Sequence, residues 1–137
     1  MAKKKQVPRG IRNNNPLNIR RSDNKWKGRV PCPTDKDFEQ FTDMRYGIRA
    51  AYINMRTIIR RNTFCTLQKL IEVWAPPVEN DTNAYVARVA KLTGISPSSV
   101  IDGQDCGNMI PIAYAMAQVE CGQKLEYGMF VTAWDWI

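Results

Sequence analysis

The sequence has no histidine. That absence excludes the Ser-His-Asp triad, the His-assisted cysteine nucleophile and the His-containing zinc sites common among hydrolases. The four cysteines, Cys32, Cys65, Cys106 and Cys121, form no C-x-x-C pair, so a thiolate metal site is weakly indicated and reduced thiols are expected, three of them in or near helices. No run of 18 apolar residues occurs, which argues against a membrane-spanning helix. Lys3, Lys4 and Lys5 open the chain, but no apolar stretch follows them, which argues against Sec export. β-type alternation is scarce, and neither an internal repeat nor a low-complexity tract is present.

What is present is a 137-residue chain, 44% apolar, with a net charge of +7. That length suits one domain with a real core. The expected organisation is a disordered basic tail over 1–8 and a single domain over 9–137. The positive charge points to an anionic partner, either nucleic acid or an acidic polymer such as bacterial cell wall.

Helical periodicity dominates. From Met44 to Arg61, Ile48, Ala51, Tyr52, Met55, Ile58 and Ile59 form an apolar stripe, and Arg45, Arg49, Arg56 and Arg60 form a basic stripe expected to be solvated. Leu67, Leu70, Ile71 and Trp74 repeat the pattern behind a Thr66 cap, and Pro76 and Pro77 stop that helix. A third helix is expected from about Asn83 to Thr93, entered through Asp81 or Thr82 and ended by Gly94. Ser96 and Pro97 suggest a short helical turn. A long helix from about Asn108 to Cys121 stops at Gly122, and the tail from Met129 to Ile137 is expected to pack back on the body. The start, rich in asparagine around Pro16, reads as non-helical. Segments Ile19 to Arg21 and Phe38 to Phe41 are the only strand candidates, giving a small β-hairpin beside a mainly α bundle.

With no histidine, acid-base chemistry falls to the carboxylates. Glu120 differs from the others by position, in the last turn of an otherwise uncharged helix, AMAQVECG. The negative end of the helix dipole and apolar neighbours both disfavour an ionised carboxylate there. A carboxyl kept protonated near neutral pH suits glycosidic-bond cleavage, where the leaving oxygen needs a proton. Glu79, Asp81 and Asp105 are candidates for a second carboxylate. Asn15, Asn18 and Asn80 offer amides suited to sugar hydroxyl and acetamido groups. Trp26, in a loop, is preferred over the helical Trp74 as a sugar-stacking surface.

Arg9 to Arg20, RGIRNNNPLNIR, resembles the opening of a family of phage and prophage proteins often described as virion structural proteins. The resemblance continues through Trp26 to Gly28, Phe38 to Phe41, Gly47 to Ala50, Trp74 to Thr82 and Tyr85, with Leu17 where that family usually has glycine. Glu79 to Val89 is similar to the tyrosine-bearing segment of soluble lytic transglycosylases, which places Tyr85 beside the catalytic glutamate. Gln118 to Gly122 is similar to their glutamate segment, and Asn15 to Arg20 with Trp26 to Gly28 resembles part of the cell-wall glucosaminidases. In those proteins the glutamate segment comes first, whereas here it comes last. The resemblance therefore implies a circularly permuted, lysozyme-like α+β domain. The implied activity is cleavage of the β-1,4 glycan strand of peptidoglycan by Glu120, with substrate contacts from Tyr85, Asn15, Asn18, Trp26 and Asn80 and with no metal or cofactor.

The implied setting is a phage virion, or a host cytoplasm without a Sec signal, with action at the periplasm or cell wall and other virion proteins as further partners. Two alternatives differ in class. One is a non-catalytic virion or wall-binding module, which Glu120→Gln would leave unchanged. The other is a nucleic-acid binder, less favoured, whose mark would be steep salt dependence on DNA.

Overall fold

A computed structural model describes residues 7–137, and within them the chain is mainly helical. The six helices are α1 (Arg9–Arg12), α2 (Met44–Arg61), α3 (Leu67–Trp74), α4 (Thr82–Thr93), α5 (Cys106–Cys121) and α6 (Tyr127–Asp135). Most of the expected basic tail, residues 1–6, lies outside the described residues.

Side-chain caps set four of the helix starts. Asp43, Thr66, Asp81 and Asp105 accept hydrogen bonds from the backbone N–H groups of Arg45, Lys69, Ala84 and Gly107, satisfying donors that a helix start leaves unpaired. Gly94 and Gly122 close α4 and α5 in the left-handed conformation. α5 is the central element, touching α1, α2, α4 and α6, and it is buried on most of its circumference through Met109, Ile112, Ala113, Met116 and Ala117. Tyr52 and Met55 of α2, Leu70 and Ile71 of α3 and Phe130 of α6 complete the core.

The structure departs from the sequence expectations of the fold in four places. Arg9–Arg12 forms one helical turn where a non-helical start was expected. The expected hairpin reduces to isolated antiparallel bridges, Arg20 to Phe38 and Arg29 to Phe41, with no sheet among the described residues. Backbone bonds flank each bridge (Arg21 N–H to the Asp37 carbonyl, Glu39 N–H to Ile19, Val30 N–H to Gln40 and Thr42 N–H to Gly28). Side chains satisfy the turn before Phe38: Gln40 accepts from the N–H groups of Thr34 and Asp35, and Asp35 accepts from those of Asp37 and Phe38. Ser96 and Pro97 make a turn and no helix. The tail does pack back, and it does so as helix α6, with the Tyr52 hydroxyl donating to the Phe130 carbonyl at 2.9 Å.

The fourth departure is the arginine stripe. Arg45 lies 4.7 Å over the Trp136 ring and Arg56 4.6 Å over Trp134, while Arg49 donates to the Trp136 carbonyl at 2.9 Å. These guanidinium groups clamp the C-terminal segment to α2 by cation–π and hydrogen-bond contacts, so they are not a free solvated face.

Gly47 shows how closely the start of the chain is seated on α2. A Cβ there would stand 2.0 Å from the Asn14 carbonyl oxygen, so no other residue fits. Leu17, at the position where the resemblance read from the sequence expected glycine, is a core residue at 1% exposure. The left-handed conformations fall instead on Asn14 (φ 52°) and Asn18 (φ 53°), a residue type that tolerates them.

Candidate active site

The asparagine segment builds one side of the site. Asn15 is fully buried; its Oδ1 accepts from the Ile19 N–H at 2.9 Å, and its Nδ2 donates to the carbonyls of Ile19 (2.9 Å) and Glu39 (3.0 Å). Asn13 donates to Asp35 and Asn14 to the Phe41 carbonyl. With the loop locked in this way, the left-handed turn at Asn18 carries its Nδ2 to 3.2 Å from Glu120 Oε1. The Cys121 thiol donates to the Pro16 carbonyl at 3.3 Å and ties the end of α5 to the same loop.

The other side comes from α4. Tyr85 is buried, and its hydroxyl lies 3.1 Å from Glu120 Oε2 and 3.4 Å from the Met116 carbonyl. Glu120 is thus held at both oxygens by neutral donors, and no cation pairs with it among the described residues. Burial pushes its carboxyl up from the ordinary value, against the opposing pull of hydrogen bonds from Asn18, Tyr85 and Trp74. Burial, reinforced by Glu120, also raises the Tyr85 hydroxyl, which therefore stays a donor. The Cys121 thiol is pushed up to about 11 by burial and the same carboxyl, which keeps it protonated.

Next to Glu120 lies a cleft of about 400 Å³. One wall is the segment carrying Asn18, Ile19, Arg20, Ser22 and Asn24; the other is Asn54, Thr57, Ile58 and Arg61 of α2, with Val73 and Trp74 of α3 across the end. Glu120 stands one side chain behind this lining, in contact with Asn18 and Trp74, which both belong to it. The lining is mostly amide, hydroxyl and guanidinium groups, and it contains no carboxylate.

Of the residues singled out in the sequence, Glu120, Tyr85 and Asn18 come together. Asn15 does not reach the cleft, because its amide is spent on the backbone. Trp26 is not part of the cleft lining; it packs against the core with its indole N–H buried and unpartnered. Trp74 occupies the position by the cleft that Trp26 was expected to hold. Asn80 is exposed, donates to the Pro76 carbonyl at 3.3 Å and lies apart from the lining.

Among the second-carboxylate candidates, Asp81 is spent as the cap of α4. Asp105 caps the far end of α5, about 22 Å from Glu120 along a helix rising 1.5 Å per residue. Glu79 lies 3.7 Å from the Arg20 guanidinium at the cleft edge. Sequence reading passed over Asn54, Thr57 and Arg61. Their helical spacing with Ile58, at i, i+3, i+4 and i+7, was the available signal for one shared face of α2.

No protein-family model matches the chain. It is similar to Protein P5 of Pseudoalteromonas phage PM2, with 32% identity over 135 residues that cover 96% of this chain and 82% of that protein. At that identity over nearly its whole length, this chain belongs to the family of the phage protein P5.

Proposed function

We propose that this chain cleaves the β-1,4 glycan strand of bacterial peptidoglycan, with Glu120 as general acid. The observation that carries the reading is a glutamate raised by burial, held only by neutral donors, one side chain behind a polar cleft whose lining has no carboxylate of its own. A hydrolase with two carboxylates needs the second one roughly 5–10 Å from the first, and no lining residue supplies it. The lytic transglycosylase route fits a single carboxyl better. Glu120 gives its proton to the glycosidic oxygen as the bond to the sugar C1 breaks. It then takes the proton of that sugar's own 6-hydroxyl, whose oxygen bonds to C1 and closes a 1,6-anhydro ring.

In this reading Asn18 and Tyr85 hold the carboxyl in place, Trp74 offers an apolar face to a sugar ring, and Asn24 and Asn54 meet hydroxyl and acetamido groups. A glutamate at a helix end, preceded in the chain by its tyrosine and asparagine partners, agrees with a circularly permuted lysozyme-like domain. Membership in a phage protein family agrees with carriage in a virion and action at the cell wall.

Digestion of purified peptidoglycan by wild type and by Glu120→Gln, with products read by mass spectrometry, tests the reading. Anhydro-muropeptides from wild type alone are expected. Hydrated products would replace the transglycosylase route by hydrolysis. No products from wild type, with binding to the sacculus intact, would overturn catalysis in favour of a wall-binding module.

A further inference from the structure

The cleft carries an imbalance of charge that the chemistry at Glu120 does not use. Arg20 and Arg61 both line it, and no acidic residue does. The two arginines are not equivalent. Arg20 lies 5.1 Å over the Phe38 ring and 3.7 Å from Glu79, so its charge is already partly answered. Arg61, in the last turn of α2, has no hydrogen-bond, ion-pair or aromatic partner among the described residues. It shares its helix face with Asn54, Thr57 and Ile58, the α2 wall of the cleft. A guanidinium presents paired donors in a planar fork that matches a carboxylate, and water is its only competitor here.

We infer that the cleft reads a carboxylate on its glycan, and that Arg61 is the residue that selects for it. The inference rests on the peptidoglycan reading above and narrows it to a strand whose sugar carries an acidic substituent. A neutral β-1,4 polymer of N-acetylglucosamine fills the amide contacts equally well and leaves Arg61 unanswered. Two sources of carboxylate exist in peptidoglycan. The lactyl group of muramic acid is free once the peptide is removed, and the peptide stem carries its own carboxylates while it is attached.

The test is equilibrium binding to the full-length Glu120→Gln chain, which avoids turnover. The three ligands are peptide-stripped glycan oligosaccharides, muropeptides with intact stems, and chitooligosaccharides of equal length. Adding Arg61→Gln is expected to cost about tenfold in affinity for an acid-bearing ligand, the scale of one charge-assisted hydrogen bond, and to leave chitooligosaccharide binding unchanged. Arg60→Gln makes the same charge change one position away, outside the cleft lining, and is expected to alter none of the three. Glutamine preserves helix propensity at this exposed position, and Arg61→Lys is expected to recover part of the loss. A loss confined to the stripped strands assigns the contact to the lactyl carboxylate, and one confined to muropeptides assigns it to the stem. If Arg61→Gln weakens all three ligands alike, or none, the inference fails and the peptidoglycan reading stands. If no glycan binds even with Arg61 in place, the reading itself falls.

Discussion

Asp35 and Glu120 are both carboxylates withdrawn from solvent, and the chain treats them in opposite ways. Asp35, with its side chain 4% exposed, receives two hydrogen bonds of 2.7 Å from the Arg9 guanidinium and a third of 2.9 Å from Asn13. The Arg9 bonds hold its carboxyl far below the usual carboxylate range, against the cost of burial. Glu39 is likewise paired with a cation, gripped by the Arg29 guanidinium at 2.9 and 3.1 Å with its side chain 2% exposed. Glu120 has only an amide, a phenol and an indole around it, and its carboxyl moves up. A buried carboxylate answered by a cation is fixed as an anion and serves as a structural pin. One answered by neutral donors holds its proton to higher pH than an ordinary carboxyl does, which is the direction a general acid requires.

The largest expected effect comes from removing the unpaired member of that contrast. Glu120→Gln is expected to lower glycan cleavage at least ~100-fold, the lower range for loss of a general acid, as measured by release of soluble muropeptides. Stability is expected to move the other way. A carboxyl raised in the folded state contributes stability at pH below its unfolded value, and that contribution is lost as pH rises through the folded value. Glutamine cannot ionise, so the melting temperature of the variant relative to wild type is expected to rise as pH increases above the ordinary glutamate value of 4.5. A variant less stable than wild type at pH 7 would break the contrast.

Arg29→Met probes the opposite case. It leaves Glu39 buried without its cation, and the expected cost is about 3 kcal/mol in urea unfolding, because an uncompensated charge remains inside. Acid titration of Asp35 sharpens the same point. Its carboxyl is depressed when folded, so its contribution is complete above the ordinary value of 3.8 and is lost as pH falls below it. Asp35→Asn is expected to flatten the acid limb of stability in that window and to leave the slope above pH 5 unchanged.

Much of this contrast was legible in the sequence, though unevenly. Glu120 stood out as the single charge in the helix ended by Gly122, and α2 through α4 announced themselves through apolar spacing with Thr66, Asp81 and Gly94 at the ends. α6 did not. It is nine residues long, its first residue follows Glu126 without a side-chain cap, and only Phe130 and Ala133 are buried, so no stripe forms. The asparagine run announced polarity but not roles. Which amide reaches Glu120 depends on the left-handed turns at Asn14 and Asn18, and these are set by the seating of the loop on Gly47. Trp74 and Arg61 were hidden for a related reason. A helix reports its own faces, but a cleft exists only where two elements meet, and nothing in α2 alone says that Asn18 and Arg20 stand opposite.

The smallest effect is the most diagnostic of how Glu120 is tuned. Tyr85→Phe keeps the buried ring and removes the hydroxyl that lies 3.1 Å from Glu120 Oε2. That hydroxyl pulls the carboxyl down while burial pushes it up, so its loss leaves burial less opposed. The limb on which Glu120 loses its proton in the pH profile of glycan cleavage is therefore expected to move to higher pH. The rate at its optimum is expected to fall by less than about tenfold, the scale of one hydrogen bond. A limb that moved to lower pH would mean that the phenol holds the protonated form. Tyr85 would then belong with the groups that keep the acid charged with its proton, and the division between cation-pinned and donor-held carboxylates would need a third class.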